Sequence, residues 1–168
     1  RDAVRYLKYF TFLTQEEILR RVGEFDPRFA GIYATTFGLN KAMQTAEAVK
    51  QLNPEIFTCA GGPYPIALQE QCLHDGAHFD ALATGEGEHT VPEMIERLES
   101  GRGLDGVLGV VFRRGAEIVK NPPRPLIEDL DSLPFPARDL LQDRESYLPP
   151  PGTYRRRPVA VLLTARGC

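Results

Sequence analysis

The sequence predicts an α/β protein built on a parallel sheet with helices on both faces. Short apolar runs alternate with stretches of helical periodicity four times within the first hundred residues. Within each run the residues are almost all apolar and do not alternate with polar ones. This composition is typical of short strands that are buried on both faces of a sheet. Two of them end in glycine turns, Gly61-Gly62-Pro63 and Gly85-Glu86-Gly87. A composition of 168 residues, 42% apolar and 26% charged, suits one globular domain.

The predicted elements follow from periodicity and from start and stop signals. Thr14 with Glu17, and Thr90 with Glu93, match the capping-box pattern at a helix start. Asn53-Pro54 is expected to end a helix. In chain order we predict a strand over 6–13, a helix over 14–23, a strand over 31–35, a helix over 41–52, a strand over 56–60, a helix over 66–74, a strand over 81–84 and a helix over 90–100.

The pattern changes after residue 103. Residues 107–113 and 116–120 flank a turn and predict a β-hairpin. Residues 121–157 are rich in proline, which predicts an extended linker lying on a surface. Residues 158–164 predict a new buried strand. We therefore expect an α/β domain over 1–120, a linker over 121–157 and the first strand of another domain over 158–168, with both ends cut from a longer protein.

Net charge, apolar run length and cysteine content argue against a nucleic-acid-binding protein, a membrane-spanning protein and a disulfide-linked protein. The net charge of −3 offers no general electrostatic attraction for nucleic acid. No apolar run approaches the length that spans a bilayer, so no membrane span is expected. Three cysteines, Cys59, Cys72 and Cys168, favour a reducing, cytoplasmic location over a disulfide framework. Cys59 and Cys72 are expected to be structural, buried in a strand and a helix.

The glycine turns mark the expected binding site. Open α/β sheets bind ligands at the carboxyl ends of their strands, where glycine lets a ligand approach the backbone. Neither turn matches the dinucleotide fingerprint, and the sequence has no Walker A motif. Glu86 is expected to accept a hydrogen bond from a ligand, and Glu88 to interact with a helix dipole.

Several stretches resemble one known family. GGPYPIAL followed by FDALATGEGEHTVPEMIERL resembles the cobalamin-binding domain that precedes radical S-adenosylmethionine enzymes. LIEDLDSLPFPARDLL resembles their linker, and VLLTARGC resembles the first strand of their catalytic barrel, ending at the first cysteine of a CxxxCxxC motif. The similarity is greatest to the group that includes anaerobic magnesium-protoporphyrin IX monomethyl ester cyclase and cobalamin-dependent methyltransferases.

The resemblance implies a flavodoxin-like (Rossmann-like) fold with strand order 2-1-3-4-5, here lacking its first strand. It implies that the nucleotide tail of cobalamin lies in the crevice at the carboxyl ends of the strands. Gly61-Gly62 match the family's Gly-Gly pair, whereas Thr35 and Thr36 occupy the place of its Ser-x-Leu motif without matching it. The residues expected to contact cobalamin are Thr35, Thr36, Gly61, Gly62, Pro63, Gly85, Glu86 and Gly87.

For the full-length protein, the resemblance implies a [4Fe–4S] cluster, S-adenosylmethionine and a downstream radical barrel. Cys168 would be one of three cysteine ligands of that cluster. The histidines His74, His78 and His89 match no axial-ligand motif. We expect no catalytic residue within this chain, which would act as a binding module for methyl transfer or oxidative cyclisation.

Three alternatives stay open. One is a flavodoxin-like domain that binds a flavin or a sugar nucleotide. Another is a cobalamin sensor or carrier without catalysis. The third is a fragment that binds nothing, because loss of its first strand opens the crevice.

Overall fold

The computed structural model describes residues 14–137, 149 and 152–159. The chain divides into two compact units, one of residues 9–133 and the other of residues 1–8 with 134–168. The larger unit holds all the helices and strands of the described residues. The domain boundaries expected from the sequence, at residues 120 and 157, stay predictions.

Helices and strands alternate along the larger unit. In chain order they are α1 (Gln15–Phe25), β1 (Phe29–Tyr33), α2 (Leu39–Leu52), β2 (Phe57–Gly61), α3 (Pro63–Leu68), α4 (Glu70–Asp75), β3 (Ala81–Ala83), α5 (Gly87–Glu99), β4 (Val110–Arg114) and β5 (Glu117–Lys120), followed by a short 3-10 helix at Leu130–Ser132.

The described strands form one mixed sheet in the order β1-β2-β3-β4-β5. β1, β2 and β3 are parallel, with Phe29 opposite Phe57 and Cys59 opposite Ala81. β4 and β5 are antiparallel and extend the sheet beyond β3. The α/β fold with a Rossmann-like parallel core is therefore confirmed, and the three parallel strands bring their carboxyl ends to one edge.

Apolar clusters cover both faces of the sheet. One lies beneath α2, α3 and α4 and includes Ala46, Leu73 and Leu82. The other lies beneath α5 and includes Met94 and Val107. Small residues on α2, including Ala46 with no exposed surface, let that helix pack closely on the strands.

The start signals predicted for the helices have different outcomes. Thr14 caps α1 as expected, and its hydroxyl accepts from the backbone N–H of Glu17 at 3.2 Å. The capping box expected at Thr90 and Glu93 is wrong, because α5 already begins at Gly87 and Thr90 is buried inside it. The Thr90 hydroxyl instead accepts from the Arg124 side chain at 2.9 Å.

The helix predicted over 66–74 is two helices. α3 starts directly after Gly62, and the φ of 44° and ψ of −117° at Gln69 interrupt the helical path between α3 and α4. The predicted hairpin is present as β4 and β5 with a turn at Gly115. Its addition to the parallel sheet through β3 was not evident from the sequence.

Residues 121–133 close the larger unit without forming a strand. In the other unit, the described residues include the exposed arginines 155–157, of which Arg157 donates to the Tyr154 hydroxyl at 3.1 Å. The strand predicted over 6–13 and most of the one predicted over 158–164 lie outside the described residues. None of the described helices has the length and apolar character needed to cross a membrane.

Candidate functional site

The carboxyl ends of β1 and β2 are joined by backbone hydrogen bonds. The N–H of Ala34, just after β1, donates to the Gly61 carbonyl at 2.8 Å. The Ala34 carbonyl in turn accepts from the N–H of Tyr64 at 3.2 Å. These bonds hold the loop after β1 against the Gly61-Gly62-Pro63 turn, so both predicted loops contribute to one edge.

Gly62 is required by the protein's own packing. Its φ is 104°, in the region that favours glycine. A Cβ built on Gly62 would lie 2.7 Å from the Tyr33 ring and 2.9 Å from the Ala34 carbonyl oxygen. Glycine at this position therefore lets the turn approach β1 closely.

Gly61 and Gly85 have a different environment. A Cβ built on either residue would meet no protein atom within 4 Å, and neither residue has a positive φ. The protein's own packing does not demand glycine at these positions. Gly61 is the last residue of β2, and Gly85 lies two residues after the neighbouring strand β3, so the missing side chains leave open space beside the backbone at both places.

Thr35 and Thr36 follow β1 at the same edge. The Thr35 hydroxyl accepts from the backbone N–H of Gly38 at 3.0 Å, which leaves its own proton to donate. Thr36 is exposed, and Phe37 beside it is 103% exposed. Pro63 and Gly87 are the first residues of α3 and α5. All eight predicted contact residues therefore lie at the carboxyl end of β1, β2 or β3 or in the segment that follows it.

Glu86 interacts with a part of the chain that the sequence did not connect to it. Its carboxylate accepts a hydrogen bond from the backbone N–H of Ile127 at 2.6 Å. The bond brings the proline-rich segment after β5 to the turn between β3 and α5. That Glu86 also bonds a ligand stays a prediction.

We call residues 121–127 the strap. Asn121 is buried and donates its side-chain amide to the carbonyls of Leu104 and Val107 at 2.7 and 3.0 Å. Further along, the Arg124 side chain binds Thr90 and Glu93 on α5. Sequence reasoning missed these anchors, although Asn121 before the prolines and Arg124 between them were a usable signal.

Among the described residues, the histidine, cysteine and carboxylate side chains do not assemble into a metal centre. The three histidines are exposed, and the described residues contain no cluster of histidine, cysteine and carboxylate side chains able to hold a metal ion. Cys59 and Cys72 are buried as expected, and burial raises the pKa of Cys59 to about 12 and that of Cys72 to about 11. Cys168 lies outside the described residues.

A cavity of about 360 Å³ lies between α2 and the loop that leads from α4 to β3, lined by Met43, Glu47 and His78 among others. None of the eight predicted contact residues lines it. It is therefore separate from the edge where the glycine turns meet.

Comparison with known proteins identifies the class. Residues 3–95 match the family model of the B12 binding domain, and the chain belongs to that family. It is a cobalamin-binding α/β domain, which confirms the cofactor expected from the resemblance and disfavours a flavin or a sugar nucleotide.

The curated relatives extend over most of this chain. An uncharacterized methyltransferase of Pyrococcus horikoshii is 35% identical over 158 residues, which is 93% of this chain and 33% of that protein. The anaerobic magnesium-protoporphyrin IX monomethyl ester cyclase of Rubrivivax gelatinosus is 28% identical over 160 residues, covering 93% of this chain and 28% of the relative. The chain thus spans about a third of the length of these relatives.

Solved structures support the fold. The cobalamin-dependent S-adenosylmethionine radical enzyme OxsB, with aqua-cobalamin and S-adenosylmethionine bound, superposes with a TM-score of 0.57 at 19% identity over 67% of this chain and 16% of that one. The methyltransferase TsrM from Kitasatospora setae, with cobalamin and a [4Fe–4S] cluster bound, gives 0.59 at 14% identity over 69% of this chain and 22% of TsrM. At these identities the likeness shows the fold alone.

Proposed function

We propose that the chain is the cobalamin-binding domain of a radical S-adenosylmethionine enzyme and that the nucleotide tail of the cofactor enters the sheet edge at β2 and β3. The observation that supports this placement is the open space at Gly61 and Gly85. Gly61 ends β2 and Gly85 lies two residues after the end of the adjacent β3, and the protein's own packing requires glycine at neither position. A ligand that runs close to both backbones accounts for both glycines.

The other predicted residues supply shape and hydrogen bonds. Gly62 and Pro63 form the turn that leads into α3. The hydroxyls of Thr35 and Thr36 are suited to the amide and phosphate groups of cobalamin. Gly87 begins α5 and contributes a backbone N–H at the positive end of a helix of 13 residues. In this proposal the chain binds and orients the cofactor.

Bound cobalamin would supply the cobalt chemistry that no side chain of this domain provides. The buried thiols of Cys59 and Cys72 are unsuited to nucleophilic or redox work, because burial raises their pKa well above neutrality. The described residues include no buried histidine that faces the sheet edge. In this proposal, catalysis belongs to a part of the protein other than this domain.

We further propose that the complete enzyme performs methyl transfer or oxidative cyclisation and works in the cytoplasm. The names of the relatives, methyltransferases and cyclases, support these reaction classes. In the proposal Cys168 is the first ligand of a [4Fe–4S] cluster that binds S-adenosylmethionine in a barrel of the same chain. A sensor or carrier without catalysis is the alternative.

The cofactor site is tested by titration with hydroxocobalamin, followed by visible absorption. Wild-type protein is expected to show saturable binding. Gly61→Val and Gly85→Leu should raise the Kd by roughly tenfold or more, since each fills the open space and a tenfold change is about 1.4 kcal/mol. Both variants should keep the wild-type melting temperature.

Gly31→Val is the matched control, because Gly31 lies within β1 and a Cβ there would make ordinary contact with Phe29 at 3.6 Å. Its Kd should equal that of the wild type. Absence of saturable binding by wild-type protein would refute the function. Equal affinity of all three variants would refute the placement alone.

The proposed enzyme class is tested on the full-length gene product. Two further cysteines after Cys168 at CxxxCxxC spacing, and loss of iron from anaerobically reconstituted Cys168→Ala protein, are expected. If the gene lacks those cysteines and the protein still binds cobalamin, the sensor or carrier is the better account.

A further inference from the structure

We propose that the strap, residues 121–127, forms one wall of the cobalamin crevice, and that Glu86 is the positioning residue that holds it there. The inference rests on the proposed function, since it requires cobalamin at the sheet edge. It assigns a cofactor contact to Leu126. The strap lies beyond residues 3–95, which the family model matches.

Three anchors fix the path of the strap. At its start, the Gly109 N–H donates to the Pro122 carbonyl at 2.8 Å. In the middle, the Arg124 Nε donates to the Thr90 hydroxyl at 2.9 Å, and its Nη2 pairs with Glu93. At its end, the Ile127 N–H donates to Glu86 at 2.6 Å.

These anchors lead toward the sheet edge. Gly109 also accepts from the N–H of Thr84, directly after β3, at 2.8 Å. Arg124 binds the first half of α5, and Glu86 lies just before that helix. The strap therefore follows α5 back to its start, which is the turn that contains Gly85.

The composition of the strap suits a fixed wall. Prolines occupy three of its seven positions, 122, 123 and 125. Proline holds φ near −65° and carries no N–H, so the segment loses little conformational entropy on ordering and presents few unpaired donors. Of the N–H groups that remain, that of Asn121 donates to the Val110 carbonyl and that of Ile127 donates to Glu86.

Leu126, near the end of the strap, has a largely exposed side chain. Its side chain is 77% exposed although its neighbour Ile127 is bound at the edge. At the opposite end of the edge, Tyr33 and Phe37 are similarly exposed. Leu126 is thus next in the chain to the residue bound by Glu86, and Glu86 follows Gly85, beside which the backbone is open. A large ligand at this edge would cover the exposed Leu126 side chain, and the ligand of this domain is cobalamin.

The distinction between positioning and direct contact is tested with two substitutions at Glu86. Glu86→Gln keeps an oxygen that accepts from Ile127, whereas Glu86→Ala removes it. A positioning role predicts that Glu86→Gln binds cobalamin within about threefold of wild type, while Glu86→Ala raises the Kd roughly tenfold. If both variants lose affinity equally, the charge acts on the ligand and the positioning role is wrong.

Arg124→Met is a second way to release the strap. It acts on Thr90 and Glu93, away from the predicted contact residues, and should also raise the Kd. All variants are compared at a temperature at which circular dichroism shows each to be folded.

Leu126→Ala tests the wall itself and should raise the Kd roughly fivefold through lost apolar contact. Its matched control is Leu52→Ala. Leu52 is 46% exposed and ends α2, which leads away from the carboxyl edge, so this variant should bind as wild type does.

Hydrogen exchange gives an independent readout on the full-length protein. Cobalamin should slow exchange in the peptide that contains Leu126 and Ile127 in the wild type and in Glu86→Gln, and much less in Glu86→Ala. Two results would show that the strap does not line the crevice while leaving the proposed function intact. One is that wild type binds cobalamin without a change of exchange in the strap, and the other is that Leu126→Ala and Leu52→Ala have the same Kd for cobalamin. If wild type does not bind, the proposed function itself fails.

Discussion

The carboxylate of Glu86 accepts a hydrogen bond from the backbone N–H of Ile127 at 2.6 Å, across 41 residues of chain. The bond connects the turn after β3 to a segment that the sequence presented as a linker. It gives Glu86 a structural partner at the edge where a ligand is expected. The same edge contains glycines of two kinds, those that packing requires and those that it does not.

Gly62→Ala should destabilise the protein. The new Cβ would lie 2.7 Å from the Tyr33 ring and 2.9 Å from the Ala34 oxygen, at a φ of 104°. Strain and overpacking together should lower the free energy of unfolding by about 2 kcal/mol or more, measured by urea denaturation.

Gly61→Ala is the comparison for that measurement. Its Cβ meets nothing within 4 Å, so stability should stay within about 0.5 kcal/mol of wild type. Equal loss in the two variants would contradict the division of the turn into a packed glycine and an open one.

Asp80 should be important for the start of β3. Its Oδ2 accepts from the N–H of the fully buried Thr58 at 2.7 Å and pairs with Lys50 Nζ at 2.6 Å. Asp80→Ala leaves a buried donor without a partner and should cost about 2 kcal/mol in the free energy of unfolding.

Asp80→Asn separates the hydrogen bond from the charge. The amide oxygen still accepts from Thr58, so only the ion pair with Lys50 is lost and the cost should be about half as large. A loss as great as that of Asp80→Ala would mean that the ion pair dominates.

Arg113 should contribute more to stability than its neighbour Arg114. Its guanidinium donates to the carbonyl of Leu73 in α4 and to that of Phe79 in the loop before β3. Arg113→Met should therefore lower the free energy of unfolding by about 1–2 kcal/mol, because it leaves part-buried carbonyls unpaired.

Arg114→Met provides the control for this comparison. Arg114 is exposed and pairs with Asp105 and Glu117 on the surface, where ion pairs contribute roughly 0–1 kcal/mol. Equal effects of the two substitutions would argue against a packing role for Arg113.

Alkaline pH should weaken the fold through its buried thiols. Burial raises the pKa of Cys59 to about 12, whereas in the unfolded chain a thiol ionises near its ordinary value of about 8.5. Because the folded pKa is the higher one, the contribution of Cys59 to stability is complete below the unfolded pKa and declines as pH rises toward the folded value.

Cys59→Ala isolates this effect. The stability difference between wild type and variant should shrink as pH rises from about 8.5 toward about 12, since only the wild type loses stability by ionisation of the Cys59 thiol. A stability difference between wild type and Cys59→Ala that does not change with pH would contradict the proposed effect of Cys59 ionisation. Native protein should also resist iodoacetamide at Cys59 and Cys72 until it is unfolded.

Local signals in the sequence succeeded where their partners are near in the chain. Thr14 caps α1 as predicted, because its hydroxyl and the Glu17 N–H are three residues apart, while the Glu17 carboxylate pairs with Arg20 and Arg21. The same pattern at Thr90 and Glu93 gave a wrong prediction, because both side chains accept hydrogen bonds from Arg124, which is 34 residues from Thr90. A capping pattern contains no information about a distant cation that competes for the same groups.

The sequence by itself determined the alternation of strands and helices, the glycine turns after β2 and β3 and, through its resemblance, the cofactor family. Apolar periodicity and glycine or proline signals act over a few residues, so they can be recognised without a structure. Only the tertiary structure decided that Gly62 is packed while Gly61 and Gly85 are open, and that Glu86 binds the strap. Those properties depend on atoms brought together from distant parts of the chain, and free space beside a backbone exists only once the neighbouring elements have packed.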